Sequence, residues 1–267
     1  MQQGQPSRTA LHVAAARAAH LRYDPPPHLL DDALAEPLLG KQAEALIPQY
    51  ADGGPWILLE NRLFIPFRAR CAEDVLAEAY DAGARQLVVL GAGLDSVGFR
   101  RPASQPRLRV FEVDHPSTQR WKQGRIAALG WPVPDHLVFA PCDFERESVS
   151  TVLRAVGFAS DVPAVVSWMG VVYYLTPASM QQALVDLRGV LAPGSAVVLD
   201  YMRPFRDLSP RYAEIEEGMK AYLESTGEPQ VNRHRPEQMR EAILAAGFAE
   251  ARLPTRDELR RRYFVPL

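Results

Sequence analysis

Five short apolar runs constrain this chain more than anything else in it. They are Gln86-Leu87-Val88-Val89-Leu90, Arg109-Val110-Phe111-Glu112-Val113, Leu137-Val138-Phe139-Ala140, Ala164-Val165-Val166-Ser167-Trp168 and Ser195-Ala196-Val197-Val198-Leu199. None alternates apolar with polar residues, as a strand wetted on one face would. Each therefore reads as a strand buried on both faces. Stretches of helical character lie between most of them, at about 116–129, 146–157 and 178–191. Parallel neighbours need a long crossover to bring the chain back, and a helix supplies it. Strands and helices in turn predict an α/β fold, with a parallel sheet covered by helices on both faces.

The flanks read differently. Residues 7–22 form an alanine-rich helix opened by Ser7 as its cap, and Pro25-Pro26-Pro27 stops it. Residues 31–50 and 56–83 read as two further helices, the second ended by Gly83. After Tyr201 the alternation breaks. Residues 202–235 are charged, carry prolines at 204, 210 and 229, and read as a helical insertion lying as a lid over the sheet's edge. A helix over 236–247 follows, ended by Gly247, and 248–266 is expected to supply one or two closing strands. The expectation is one domain over 1–267, with an N-terminal helical cap (1–84), a cofactor-binding core (85–201), the insertion, and a closing helix and strands (236–267).

Composition removes several classes. Thirty basic residues face 32 acidic ones, for a formal charge of −2, so the basic excess of a nucleic-acid binder is missing. No run of about 18 uncharged apolar residues is present to span a membrane. The start, Met1-Gln2-Gln3-Gly4-Gln5-Pro6, lacks the basic and apolar regions of a secretion signal. Two cysteines, Cys71 and Cys142, make neither a disulfide framework nor a CxxC site, which points to a reducing cytoplasm. The six histidines show no metal-ligand spacing, so no metal is assigned.

The strongest chemical signal is Leu90-Gly91-Ala92-Gly93-Leu94-Asp95-Ser96, directly after the first strand. Glycines there let the backbone turn tightly and approach a ligand. The second strand ends in Glu112-Val113-Asp114. A carboxylate at that distance accepts hydrogen bonds from the hydroxyls of a ribose. Together they predict a nucleoside-cofactor site at the carboxyl ends of the strands. A dinucleotide turn would place a third glycine where Ser96 stands, and Asp95 would repel a diphosphate. S-adenosylmethionine has a sulfonium, an ammonium and no phosphate, and suits that turn better. The third strand ends in Cys142-Asp143-Phe144. Asp143 could hold an adenine amino group beside the Phe144 ring, or cap the following helix.

With Ser7-Arg8-Thr9-Ala10, Asn61-Arg62, Arg68-Ala69-Arg70, His115-Pro116, Lys122, Gly170-Val171-Val172-Tyr173-Tyr174-Leu175, Pro193-Gly194-Ser195 and Asp200-Tyr201, these segments resemble the leucine carboxyl methyltransferase family. That family is a branch of the class I S-adenosylmethionine-dependent methyltransferases. The resemblance implies a Rossmann-like sheet, S-adenosylmethionine as cofactor and S-adenosylhomocysteine as its product. It implies that Arg68 pairs with the methionyl carboxylate and that the Gly91-Ala92-Gly93 turn, with Asp95, passes beneath the methionyl chain. Asp114, or less favourably Glu112, would take the ribose. Asp143 and Phe144 would frame the adenine, and Arg17 would reach the site from the first helix. Met169 stands where the family usually has a glutamate for the cofactor's amino group. Tyr174 aligns with a tyrosine near the methyl group, and Tyr173, Tyr201, Arg203 and His115 lie at strand ends expected to face the same pocket. Tyr174, Tyr173 and Arg203 are the catalytic candidates.

The leading reading is an O-methyltransferase acting on a small-molecule carboxylate or hydroxyl in secondary metabolism, with no nucleic-acid or membrane partner and an open oligomeric state. Two other readings follow from Met169: a cofactor-binding protein that has lost methyl transfer, or an enzyme that turns the bound sulfonium to another reaction such as a cyclisation. A nicotinamide oxidoreductase ranks below them.

Overall fold

A computed structural model describes residues 7–144, 146–225 and 229–265. The leader reading at residues 1–6, part of the insertion (226–228) and the end of the last stretch lie outside the described residues. Five strands form the sheet: β1 (Gln86–Leu90), β2 (Arg109–Asp114), β3 (Leu137–Pro141), β4 (Ala164–Trp168) and β5 (Ala196–Leu199). Their order is β3-β2-β1-β4-β5, and every pairing is parallel. Each run read from the sequence is a strand, and all five residues of β1 and of β4 are buried. The chain order reverses between β1 and β4, and a crevice opens at such a switch point above the carboxyl ends of the strands.

The helices are α1 (Arg8–Tyr23), α2 (Ala35–Leu39), α3 (Ala43–Leu46), α4 (Trp56–Asp81), α5 (Pro116–Ala128), α6 (Val149–Ala155), α7 (Pro177–Val190), α8 (Pro210–Ser225), α9 (Pro236–Ala245) and α10 (Arg256–Tyr263). The Ser7 hydroxyl caps α1 by accepting from Ala10 N–H. The pleat sends alternate residues of one strand to opposite layers. Val88 and Leu90 pack with α6, α7 and α9, while Leu87 and Val89 pack beneath α4. A separate cluster built on Ala14, Ala15, Leu39, Ile47 and Tyr50 ties α1 to the short helices, and Leu94 of the glycine turn is buried in it.

Two expectations need correction. The stretch 31–50 is not one helix: it breaks at Gly40 into short α and 3-10 turns. Pro37 and Pro48 interrupt a continuous helix there, and Arg125 donates to the carbonyls of Pro37 and Leu38 at 2.9 and 3.2 Å. The closing strands are also absent: among the described residues, 248–265 holds no strand and instead forms α10. Thr255 and Glu258 cap it reciprocally, an arrangement that selects a helix start.

Candidate functional site

The turn after β1 is shaped by contacts that exclude a side chain. Gly91 has φ +65°, and a Cβ placed there would lie 2.3 Å from Val171 Cγ2. Gly91 and Ala92 donate to Val113 O at 2.8 and 3.2 Å, which folds the turn across β2. The Gly93 N–H donates to Asp114 Oδ2, and His115 N–H donates to Oδ1 at 2.6 Å. Burial raises the Asp114 carboxyl above the usual range, and those two N–H groups oppose the shift. Asp114 is therefore fixed at the lip of the crevice by the glycine turn itself.

The crevice is a cleft of about 450 Å³, within the size range of small-molecule sites. Arg17, Arg68, Gly91, Ala92, Gly93, Asp95, Asp114, His115, Asp143, Phe144, Met169 and Tyr174 all line it. So do Ser7, Thr9 and Ala10 from the start of α1, and Pro229 from the insertion. The Tyr174 hydroxyl lies 3.3 Å from Thr9 Oγ1, joining the loop after β4 to α1. The Asp143 carboxylate lies 3.6 Å from Arg146, and its N–H donates to Glu147 at 2.9 Å.

At the opposite end, Arg68 reaches from α4 beneath Gly170. Its Nη1 donates to Asp200 Oδ2 at 2.8 Å and lies 3.4 Å from the Tyr173 hydroxyl. Gly170 has φ +77°, and an added Cβ would lie 2.7 Å from Arg68 Nη2. An L-residue pays about 1–2 kcal/mol for that backbone region, while the guanidinium tip can yield. Gly170→Ala should therefore lower stability by about 1–2 kcal/mol, read as an earlier urea midpoint. An unmoved midpoint would mean that the turn relaxes freely.

Four of the residues expected at the pocket are not there. Glu112 is fully buried below the cleft, where Lys122 Nζ donates to its Oε2 and to Asp95 O. It stands two residues down the strand from Asp114, under the turn, and so cannot meet a ribose. Its other oxygen has no partner, and burial pushes the carboxyl up to about 7 against the pull of Lys122. Arg203 is exposed and donates to the Asp207 carbonyl at 3.3 Å, because the chain leaves β5 into a tight turn that carries it away from the cleft. Tyr173 is buried behind Arg68, and desolvation drives its phenol well above the ordinary value, so it stays protonated. Tyr201 likewise packs against the core, outside the cleft.

Arg17 lines the cleft, but its guanidinium is engaged in bracing it. Nε donates to Asp32 and Nη2 to Leu94 O, both at 2.7 Å. Asp32 also accepts from Ser96 Oγ at 2.6 Å. Asp32, Ser96 and Asp200 carry no role in the sequence reading. Among them Ser96 had a visible signal, since it occupies the third-glycine position of the turn. Among the described residues, no group of three His, Cys, Asp or Glu is placed to hold a metal ion.

The cleft thus offers a glycine cradle that a Cβ would fill, a fixed carboxylate over β2, an acid and a ring beyond β3, and a guanidinium beneath β4. A nucleoside with vicinal hydroxyls and a zwitterionic amino-acid tail fits that donor and acceptor set.

Comparison with known proteins agrees. The family model described as leucine carboxyl methyltransferase matches residues 10–187. A Bacillus subtilis protein, YktD, named among the S-adenosyl-L-methionine-dependent methyltransferases, is 32% identical over 250 residues, covering 86% of this chain and 82% of that one. A Saccharopolyspora erythraea protein with the same description is 33% identical over 196 residues, 72% of this chain and 66% of that one. A crystal structure from Thermobifida fusca, titled as a methyltransferase, has a TM-score of 0.55 at 19% identity, covering 90% and 80% of the two chains. At that identity the likeness speaks for the fold.

Proposed function

The chain belongs to the leucine carboxyl methyltransferase family and is an S-adenosylmethionine-dependent methyltransferase, and from that premise we propose that it methylates an oxygen of a small molecule. The Asp114 carboxylate, held by the N–H of Gly93 at the mouth of the cleft, supports the cofactor's place, and the engagement of every acid lining the cleft supports an acceptor that needs no base. Asp114 takes the ribose hydroxyls, Asp143 and Phe144 frame the adenine, and Arg68 takes the methionyl carboxylate. The Gly91-Ala92-Gly93 turn and Asp95 run beneath the methionyl chain. Met169, a thioether at the end of β4, gives the amino group no charged partner.

The cofactor supplies a methyl group on positively charged sulfur, open to in-line displacement. The protein's part is alignment and exclusion of water. A small-molecule carboxylate is the favoured acceptor, ahead of a hydroxyl, because it brings its lone pair without needing a base. The four acids lining the cleft are all engaged: Glu73 with Arg100, Asp95 with Val97 N–H, Asp114 with two N–H groups and Asp143 with Arg146. His115 Nδ1 is occupied within its own turn, 2.7 Å from Ser117 Oγ and 3.2 Å from Ser117 N–H. Tyr174, on the wall beside Thr9, orients the acceptor.

We place the reaction in the cytoplasm and in secondary metabolism. The two cysteines, both free, suit a reducing compartment, and no described helix is long and apolar enough to cross a membrane. The test is transfer of labelled methyl from the cofactor to a panel of carboxylic acids, phenols and alcohols, followed by mild alkali. A methyl ester releases its label and a methyl ether keeps it. Label found only in alkali-stable products would overturn the carboxylate, and label on nitrogen would overturn the O-methyl reading.

Arg68→Lys keeps the charge and loses the planar fork. Affinity for S-adenosylhomocysteine should fall by about tenfold, equal to one charge-assisted bond. A lysine variant that titrates like the parent would remove Arg68 from the methionyl end.

A further inference from the structure

Asp200 follows β5 directly and ties together two walls of the cleft. Its Oδ2 accepts from Arg68 Nη1 at 2.8 Å, and its Oδ1 accepts from Gly170 N–H at 2.6 Å. Arg68 and Gly170 line the cleft, whereas Asp200 stands behind them. The pair with Asp200 is one-sided: it engages Nη1 and leaves Nη2, the atom under Gly170, and Nε for a ligand. Such an arrangement fixes the plane of the guanidinium, and a fork binds a carboxylate through both arms only when its plane is set.

Charge points the same way. Arg68 is almost wholly buried, with its side chain 9% exposed, and an unpaired cation there would carry a large desolvation cost. With Asp200 beside it, that end of the cleft is a neutral pair of opposite charges. The amino-acid end of the cofactor is also a neutral pair of opposite charges.

We propose that Asp200 is a positioning residue for the methionyl end of the cofactor, acting through Arg68 and the Gly170 N–H rather than by touching the ligand. The proposal rests on the reading that Arg68 takes the methionyl carboxylate. It differs in sign from simple competition, in which Asp200 would hold Arg68 away from the ligand and its removal would tighten binding.

The experiment titrates two ligands calorimetrically into the parent, Asp200→Asn, Arg68→Ala and the double variant. S-adenosylhomocysteine carries the amino-acid end. 5′-Methylthioadenosine keeps the nucleoside and thioether and lacks it. Asp200→Asn keeps the size of the side chain, and retained binding of methylthioadenosine reports that the cleft is folded. The expected result is a loss of about tenfold for S-adenosylhomocysteine, with methylthioadenosine binding unaltered. In the Arg68→Ala background, Asp200→Asn should cost nothing further, since the two act as one unit. Unchanged or tighter S-adenosylhomocysteine binding, equal losses for both ligands, or additive losses in the double variant would each overturn the role of Asp200. If Arg68→Ala itself leaves S-adenosylhomocysteine binding intact, the Arg68 assignment fails first, and that outcome is distinct from a failure of Asp200 alone.

Discussion

Lys122→Met should destabilise the protein by about 3–5 kcal/mol near pH 8, the usual consequence of breaking a buried ion pair from one side. Lys122 and Glu112 are both buried, and Lys122 also holds the Asp95 carbonyl of the glycine turn. Without the ammonium, Glu112 sits uncompensated in the core and takes up a proton instead. Its carboxyl is already pushed up to about 7 with Lys122 in place, and its loss removes the contribution that pulls the value down. The sign follows from linkage. A group whose folded value lies above its unfolded one adds stability below the unfolded value and loses it as pH climbs to the folded one. The deficit of Lys122→Met against the parent should therefore grow from pH 5 to pH 8. Adding Glu112→Gln should recover much of it. Urea unfolding at the two pH values reads all of this. A deficit independent of pH, or a double variant no better than the single, would mean that the pair is not what holds the turn in place.

The second large effect is on binding. On the proposed reading Asp114→Ala removes the acceptor for two ribose hydroxyls, and it frees the Gly93 N–H that Asp114 holds. At about 1.5 kcal/mol or more for each charge-assisted bond, affinity for S-adenosylhomocysteine should fall about 100-fold. The 2′-deoxy analogue separates the ribose from the turn. In the parent, loss of the 2′-hydroxyl should weaken binding. In Asp114→Ala it should change nothing, because the partner is gone. An equal penalty for the deoxy analogue in both proteins would move the ribose elsewhere.

The sheet was legible because its physics is local. Strands buried on both faces must be apolar throughout, so the runs at 86–90 and 164–168 marked themselves, and the glycine turn lay at the end of the first. Asp114 and Glu112 show where that reading stops. Two residues apart, they share one side of β2, and the sequence offers both to a ligand. Depth decides: Asp114 is at the strand's end, whereas Glu112 lies below the turn and meets Lys122, which comes from α5 ten residues on. That pairing depends on how α5 packs, and no pattern within β2 announces it. Arg203 failed for a related reason. It follows β5 by a few residues, but the direction of the chain after a strand is set by the next turn. Asp200 was visible as a residue next to a strand end, yet its role needs Arg68 from α4, 132 positions away in sequence. The helix at 256–263 is a different case. Thr255 and Glu258 spell a capping box, and Pro254 before them argues against a strand, so the signal was present in the sequence.

One cleft should hold one cofactor in one orientation. A crystal structure of the protein soaked with S-adenosylhomocysteine tests that most directly. The result expected is the ribose hydroxyls on the Asp114 carboxylate, the adenine beside Asp143 and Phe144, and the methionyl carboxylate on Arg68 beneath Gly170. Ligand bound away from the Gly91–Gly93 turn, or with its ribose out of reach of Asp114, would contradict it.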